Sequence, residues 1–214
     1  MPGAPEPPSY NRIAGASLER LGALSDGVFA VAMTLLVLDL RVPAAAAIRD
    51  EAALGHALLA LAPRLLVFVM SVMTLGIFWI GQQTQLNYLG RGDRGLAWLH
   101  IAFLCVVSLV PFSTALIAEF VTFRIALLVY WANILLLGVL LFASWRHART
   151  RRLTRPDVTE ALACAMERRI VFAQGFYAVG ALLCLFDTFW SLGFILLVQL
   201  NYVLAPRLPV LRRL

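Results

Sequence analysis

The sequence predicts an all-α, polytopic membrane protein with six transmembrane helices. Of its 214 residues, 61% are hydrophobic and 14% are charged, whereas soluble globular domains carry about 25% charged residues. The apolar residues come in runs of about 20, which is the length that a helix needs to cross a bilayer. The short alternating segments of a membrane β-barrel are not the pattern of this chain.

Polar breaks divide the chain into six apolar runs. The predicted spans are 20–41, 58–84, 96–119, 124–145, 170–186 and 188–206. The break at 42–56 is interpreted as an Ala-rich, charged loop. The longest polar stretch is 146–169, whose middle, 156–167, matches a short amphipathic helix capped by Asp157. Little more than Asp187 separates the last two spans, so they are predicted to form an antiparallel hairpin.

The two ends of the chain are predicted to lie outside a single six-span domain, 18–206. The segment 1–17 is Pro-rich and polar, and it lacks the basic start and apolar core of a signal peptide. It is expected to be a short disordered arm, and 207–214 a short basic tail. The chain shows no internal repeat.

All 18 basic residues are arginines, and the formal net charge is +6. Six spans put both termini on one side, together with fourteen of the arginines. The four on the other side are Arg41, Arg49, Arg64 and Arg124. Because arginines concentrate on the cytoplasmic side, we expect a multi-pass protein of the cell's inner (plasma) membrane with cytoplasmic termini. This orientation explains the positive charge without a nucleic-acid partner.

The first span contains Asp26, and a carboxylate inside an apolar span suggests a functional site because it is costly there. Successive helical residues advance by about 100°. If Val31 is set at zero, Asp26 falls near −140° and Ser25 near +120°. These two side chains are therefore predicted to face neighbouring helices, as a packing and gating latch, with Arg20 or another arginine as the partner of Asp26.

A different face of the same span carries an aliphatic stripe. Gly27, Thr34, Leu35 and Leu38 all fall within about 60° of Val31. Ordinary helix packing or lipid contact explains such a stripe as well as a pore does. Periodicity alone leaves these alternatives open.

The segment from Arg20 to Leu40 resembles the first-helix signature of the endosomal/lysosomal potassium channel family (transmembrane protein 175), in its single-repeat prokaryotic branch. The family signature is Arg, three variable residues, then Phe-Ser-Asp. Further resemblances are Phe78-Trp79 in the second span and the Pro-Phe-Ser-Thr sequence at 111–114 in the third. Together with the six-span layout, they cover most of the chain.

The resemblance implies a homotetramer in which the first helix lines a central pore without a P-loop filter. It implies a potassium-selective, leak-type channel whose partners are potassium ions, the lipid bilayer and copies of itself, with no cofactor or metal. The implied constriction is formed by Val31, Leu35 and Leu38, with Thr34 also implicated in selectivity. Arg20, Ser25 and Asp26 would form the motif network. The three aliphatic rings would span about 10 Å of the axis.

The sequence departs from the family pattern at several positions. Leu24 replaces the signature Phe, and Gln82 and Gln83 stand where a His pair is usual. His100 stands where Asn is usual. Because Gln does not titrate, a pH response relayed by that pair is expected to be weak or absent. Val31 is smaller than the usual Ile, so its ring is expected to be slightly wider.

An Arg-rich cytoplasmic mouth is unfavourable for a cation channel. The arginines of the 146–169 stretch are therefore expected to pair locally, with Asp157, Glu160 and Glu167 as candidate partners.

Two other classes of protein are weighed against the channel. In a small proton- or cation-coupled secondary transporter, Asp26 would carry protons, but no pair of interrupted helices supports this class. An enzyme is not expected, since His56, His100 and His147 lie in different regions and no nucleophile motif is present. A non-conducting structural membrane protein is the third alternative.

Overall fold

The computed structural model describes residues 17–204, except for the side chain of Ala47. The predicted basic tail, 207–214, and all but the last residue of the predicted arm, 1–17, lie outside this range. So do Arg12, Arg207, Arg212 and Arg213, which are four of the fourteen arginines predicted on the cytoplasmic side.

The described chain is helical along most of its length. The helices are α1 (Leu18–Leu36), α2 (Glu51–Ala60), α3 (Ala62–Asn87), α4 (Arg94–Ser108), α5 (Val110–Glu119), α6 (Arg124–Thr150), α7 (Glu160–Leu182) and α8 (Thr188–Leu204). Short 3-10 turns lie at Val37–Asp39, Ala45–Ala47 and Leu183–Leu185.

Five segments are long and apolar enough to cross a membrane: Leu18–Asp39, Ala62–Asn87, Arg94–Glu119, Arg124–Thr150 and Glu160–Leu185. The sixth predicted span corresponds to α8, which is apolar and has 17 described residues. The all-α membrane architecture is therefore confirmed, with α4 and α5 forming one span, Arg94–Glu119, in which Leu109 separates the two helices. Pro111 lies in the first turn of α5, where its missing N–H is tolerated.

Two local predictions are wrong. The break at 42–56 is not entirely a loop, because α2 begins at Glu51. The Asp50 side chain caps α2 by accepting from the Ala53 N–H at 2.7 Å, and the Ala- and Leu-rich sequence favours a helix. The helix of the second span runs from Ala62 to Asn87 and is therefore shifted toward the C-terminus from the predicted 58–84. Its start agrees with the expectation, from Pro63 and Arg64, that the membrane part begins close to Leu65.

The predicted short helix at 156–167 is also wrong, because its residues belong to the long helix α7. The cap is Thr159 rather than Asp157: its hydroxyl accepts from the Leu162 N–H at 3.3 Å. No proline follows between Glu160 and Leu182, so α7 begins ten residues before the predicted fifth span, 170–186. Asp157 instead pairs with Arg155, at 3.3 Å.

The connection between α3 and α4 meets the connection after α6 at one end of the bundle. The Gly90 N–H donates to the Leu153 carbonyl at 2.9 Å. At the same end, Arg149 pairs with Glu160 and, at 2.6 Å, with Glu167. The expectation that Asp157, Glu160 and Glu167 pair locally with arginines is therefore confirmed.

The core of the bundle seats α1 against α3, α4 and α5. Phe103 of α4 is central to this contact: its ring centroid lies 6.1 Å from that of Phe29 and 6.4 Å from that of Phe78. Aromatic pairs at these distances add to the burial of their area. The position of α1 is thus set by one face only.

A buried polar layer ties together the helices behind α1. Thr114 donates to the Ser71 hydroxyl at 2.8 Å, and Thr74 lies 2.9 Å from the Tyr130 hydroxyl. The Gln199 amide donates to the Thr74 hydroxyl at 2.6 Å. These bonds join α3, α5, α6 and α8, and they give the bundle specific contacts where lipid supplies no hydrophobic driving force.

Candidate functional site

Helix α1 divides cleanly into two faces. One face is buried in the protomer and consists of Leu21, Ser25, Phe29, Ala32 and Leu36. The other face is open, although it lies in a segment that is apolar enough to cross the membrane. An open apolar face in the middle of a span requires lipid, a second protein surface or a pore beside it.

The four residues of the implied constriction lie together on the open face. Val31 is 58% exposed, Leu35 45% and Leu38 68%, and Thr34 is exposed as well. The Thr34 hydroxyl donates to the Val31 carbonyl at 2.8 Å, so its oxygen is left as an acceptor. Leu38 lies beyond the end of the α-helix, in the 3-10 turn that prolongs it.

Gly27 extends the open face toward the start of α1. A Cβ atom built at this position would meet no atom within 4 Å. The space beside α1 is therefore larger at Gly27, one turn before Val31 in the sequence.

Ser25 lies in a buried polar cluster that joins three helices. Its hydroxyl donates to the Leu21 carbonyl at 2.9 Å, and it lies 2.6 Å from His100 Nε2 of α4. Gln82 of α3 donates through Nε2 to the Ser25 hydroxyl at 2.7 Å and lies 2.7 Å from the same imidazole nitrogen. Relative exposures are 0% for Ser25, 3% for Gln82 and 4% for His100.

The His100 imidazole meets two different partners through one nitrogen. Its Nε2 lies 2.7 Å from the Gln82 amide nitrogen, which only donates, and 3.3 Å from the Leu21 carbonyl oxygen, which only accepts. A titratable ring therefore lies beside Gln82, although it comes from α4 and not from α3. The expectation of a weak pH response considers only Gln82 and Gln83, and it does not include a histidine in contact with Gln82.

Asp26 lies at the edge of the open face and contacts α3 only. Its Oδ1 accepts from the Trp79 indole N–H at 2.8 Å and from the Gln83 amide at 2.8 Å. Trp79 and Gln83 are four residues apart, so they lie above one another on one face of α3. Within residues 17–204 of one protomer, no arginine pairs with Asp26, and the expected arginine partner is replaced by these two neutral donors.

Arg20 is not brought to the other two motif residues. Its backbone N–H donates to the Ser17 hydroxyl at 3.4 Å, which caps α1. Its side chain is exposed, and the described part of the protomer offers it no ion pair. Arg20 precedes Val31 by eleven residues, which places it within about 20° of the aliphatic stripe.

The partners of Ser25 and Asp26 were not predicted from the sequence. Gln82, Gln83 and His100 stood out only as departures from a family pattern, and Trp79 only as part of a motif. The two consecutive glutamines at 82 and 83 were the one feature of the sequence that could have indicated two separate polar contacts. Neighbouring residues on a helix point about 100° apart, so two consecutive polar residues facing α1 must contact different groups.

A small cavity lies beside the Ser25 cluster. It is lined by Gln82, Gln85, His100, Ser144 and Trp145, among others, and the space open to the centre of a water-sized sphere is about 20 Å³. That volume holds about one water molecule. This cavity is therefore too small to hold a hydrated ion.

Comparisons with known proteins identify a family to which the chain is similar. The model of the family described as endosomal/lysosomal potassium channel TMEM175 matches residues 20–111. A protein of Streptomyces collinus, named as a potassium channel, is 36% identical over 87% of this chain and 84% of its own length. A protein of Chamaesiphon minutus, also named as a potassium channel, is 30% identical over 86% of this chain and 93% of its own.

A solved structure has the same fold. It is described as a lysosomal potassium-selective channel TMEM175 homolog from Chamaesiphon minutus, and it superposes with a TM-score of 0.77 and 29% identity. The match covers 88% of this chain and 97% of that one. The two bacterial relatives match nearly end to end, and the family match includes the whole of α1 from Arg20 onward. The chain therefore belongs to the endosomal/lysosomal potassium channel TMEM175 family, in its prokaryotic branch.

Proposed function

We propose that this chain is the protomer of a homotetrameric, potassium-selective leak-type channel whose pore is lined by α1. One observation carries the proposal: Val31, Leu35 and Leu38 are exposed along a transmembrane helix whose opposite face is buried. The names of the two bacterial relatives and the description of the solved homolog support potassium as the permeant ion.

The stripe would act as a hydrophobic constriction. Four copies of α1 around an axis give rings of Val31, Leu35 and Leu38 over about 10 Å. A ring without polar groups gates by dewetting, and an ion that enters must shed part of its hydration shell. Potassium holds that shell less tightly than sodium, which favours potassium. The acceptor oxygen of Thr34, between the Val31 and Leu35 levels, would offset part of the dehydration.

The remaining open surface fits assembly around the same axis. From Asp26 through Val31 to Leu35, α1 exposes about half of its circumference. Helix α3 continues this surface with exposed Val69 and Ile80. We assign this combined surface to contacts with neighbouring protomers, and we place Arg20 at the cytoplasmic mouth that they form.

Ser25 and Asp26 are proposed to hold α1 in register. Ser25 is buried on the side of α1 away from the stripe. Asp26 lies at the edge of the open face, where two donors of α3 hold its carboxylate, so neither residue is proposed to bind a permeant ion. Replacement of either residue would allow α1 to tilt or rotate, which would displace the Val31, Leu35 and Leu38 rings together.

The protein is proposed to lie in the plasma membrane with both termini cytoplasmic. The Arg-rich segments around Gly90 and Leu153 meet at one end of the bundle. Since arginines concentrate on the cytoplasmic side, that end is assigned to the cytoplasm, and Arg64 and Arg124 to the opposite side.

Flux through reconstituted protein tests the proposal. Purified protein in liposomes should pass potassium in preference to sodium, with a rate that rises linearly with the driving force. Rates no higher than those of protein-free liposomes would exclude a channel. Flux that saturates with ion concentration and requires a proton gradient would instead support a secondary transporter.

A further inference from the structure

A second apolar surface feature lies at the end of the bundle opposite the Arg-rich connections. It is a groove lined by Ala62, Pro63, Leu66, Val121, Phe189, Leu192 and Gly193. Its volume is about 270 Å³, against about 20 Å³ for the cavity beside His100 measured in the same way. The groove is formed by the first turn of α3, the α5–α6 connection and the start of α8.

Two small residues, Ala62 and Gly193, face each other's helices across the groove lining and leave room between the larger side chains. A Cβ atom built on Gly193 would meet nothing within 4 Å, so the glycine leaves open space on the wall formed by α8. Pro63 in the first turn of α3 offers no backbone N–H. A polar ligand or an ion would find no hydrogen-bond partner on these walls. A hydrocarbon chain needs none and would pack against the apolar side chains.

A cationic group joins the two connections that lead into the groove residues Val121 and Phe189. The Arg124 guanidinium donates to the Leu185 carbonyl at 3.1 Å, which bridges the two connections that flank the groove. No carboxylate among residues 17–204 pairs with it. The other nearby guanidinium, that of Arg64, is already paired with Glu119 at 2.5 Å.

Exposed aromatic side chains mark the same end of the bundle as a membrane interface. Phe123, Phe186 and Trp190 are all largely exposed there. Aromatic belts of this kind lie at the level of the lipid headgroups. The groove therefore opens where acyl chains meet phosphates.

We propose that each protomer binds one phospholipid in this groove, with an acyl chain against Gly193 and Leu192 and the phosphate at Arg124. Helix α1 contributes no residue to the groove, although Leu66 lies one turn from Val69 of the assembly surface. The cationic Arg124 and the interfacial aromatic side chains match a phospholipid, and they favour a lipid over a second copy of the chain. This inference requires the membrane fold but not ion conduction.

Native mass spectrometry of the purified protein with added phosphatidylglycerol tests the proposal. Gly193→Phe fills the groove, and Gly175→Phe is its matched control, because Gly175 is an exposed glycine of α7 that also has no atom within 4 Å of its Cβ position. Gly193→Phe should weaken lipid binding by about tenfold or more, the effect of losing two methylene contacts. Gly175→Phe should bind as the wild type does.

Two further measurements keep the test decisive. Ala62→Phe fills the groove from α3 and should give the same loss if Gly193→Phe does not fold. Arg124→Gln should reduce the preference for phosphatidylglycerol over diacylglycerol, which has the same chains without the phosphate. Unchanged lipid binding in both filled variants would overturn the proposal. So would a filled variant that loses its oligomeric state while keeping its lipid, since the groove would then be a contact between copies.

Discussion

The Trp79 indole N–H donates to Asp26 Oδ1 at 2.8 Å, and this bond connects the edge of the open face of α1 to α3. Replacing Trp79 with Phe keeps the ring but removes the donor. Because the acceptor is a carboxylate, we expect a loss of about 1.5–3 kcal/mol in the free energy of unfolding. Thermal unfolding in detergent measures it. Trp98→Phe is the control, since Trp98 is exposed and makes no hydrogen bond within the described residues. Equal effects of the two variants would contradict a specific role for the bond.

Asp26→Ala should impair assembly or gating and leave ion preference unchanged. The substitution strands the Trp79 N–H and the Gln83 amide, whereas the stripe residues keep their side chains. Crosslinking measures the fraction of tetramer, and reversal potentials measure the potassium-to-sodium preference. A change in preference with assembly intact would show that Asp26 faces the ions.

His100→Leu should destabilise the protein by about 1–3 kcal/mol, because the buried Gln82 amide and Ser25 hydroxyl lose a partner. His100→Asn should recover part of this loss, since Asn restores a polar group that can accept from Gln82. His56→Leu is the control, as His56 is exposed on α2. The comparison uses chemical or thermal unfolding. No difference between the Leu and Asn variants would mean that volume alone matters at position 100.

Leu35→Asn should raise potassium conductance and reduce discrimination against sodium, because a polar ring holds water and lowers the dehydration barrier. Single-channel recording in planar bilayers measures both quantities. Leu197→Asn serves as the control, since Leu197 is equally apolar and 66% exposed on α8. If both variants conduct as the wild type does, Leu35 does not line the pore.

Asp93 predicts a pH dependence of stability. Burial by itself raises the pKa of Asp93, but the Leu96 N–H and His147 outweigh it, so its pKa lies below the ordinary value of 3.8. A carboxyl whose pKa is lowered by folding stabilises the protein above the unfolded pKa and loses this effect as the pH falls through the folded one. Asp93→Asn should therefore unfold at a lower temperature than the wild type at neutral pH, and the gap should close on acidification below about pH 4. If the difference in unfolding temperature between the wild type and Asp93→Asn does not change with pH, the negative charge of Asp93 does not contribute to stability.

The sequence predicted the spans better than the elements between them. Apolar runs of membrane length identify helices almost directly. Helix α2 was missed because Arg49, Asp50 and Glu51 made an Ala-rich segment look like a charged loop. The extent of α7 was missed because Arg168 and Arg169 resemble a membrane boundary, although charged residues do not end a helix.

The faces of α1 could be derived, but the partners of its buried side could not. A rotation of about 100° per residue separates Ser25 from Val31 without any tertiary information. That Ser25 meets Gln82 and His100 depends on how three helices are turned against one another, over separations of 57 and 75 residues. The same limit explains why Asp26 was assigned an arginine partner by charge alone.

The division of α1 into a packed and an open face separates residues that affect folding from residues that affect permeation. Val31, Leu35 and Leu38, the proposed pore residues, are largely exposed in the protomer, so substitutions there are expected to alter permeation with little effect on the folding of a single chain. Ser25 and Phe29 are expected to have the opposite property, since both are buried and a change at either disturbs the fold. The proposed conductance could therefore be altered by exchange of a few side chains without rebuilding the fold that presents them.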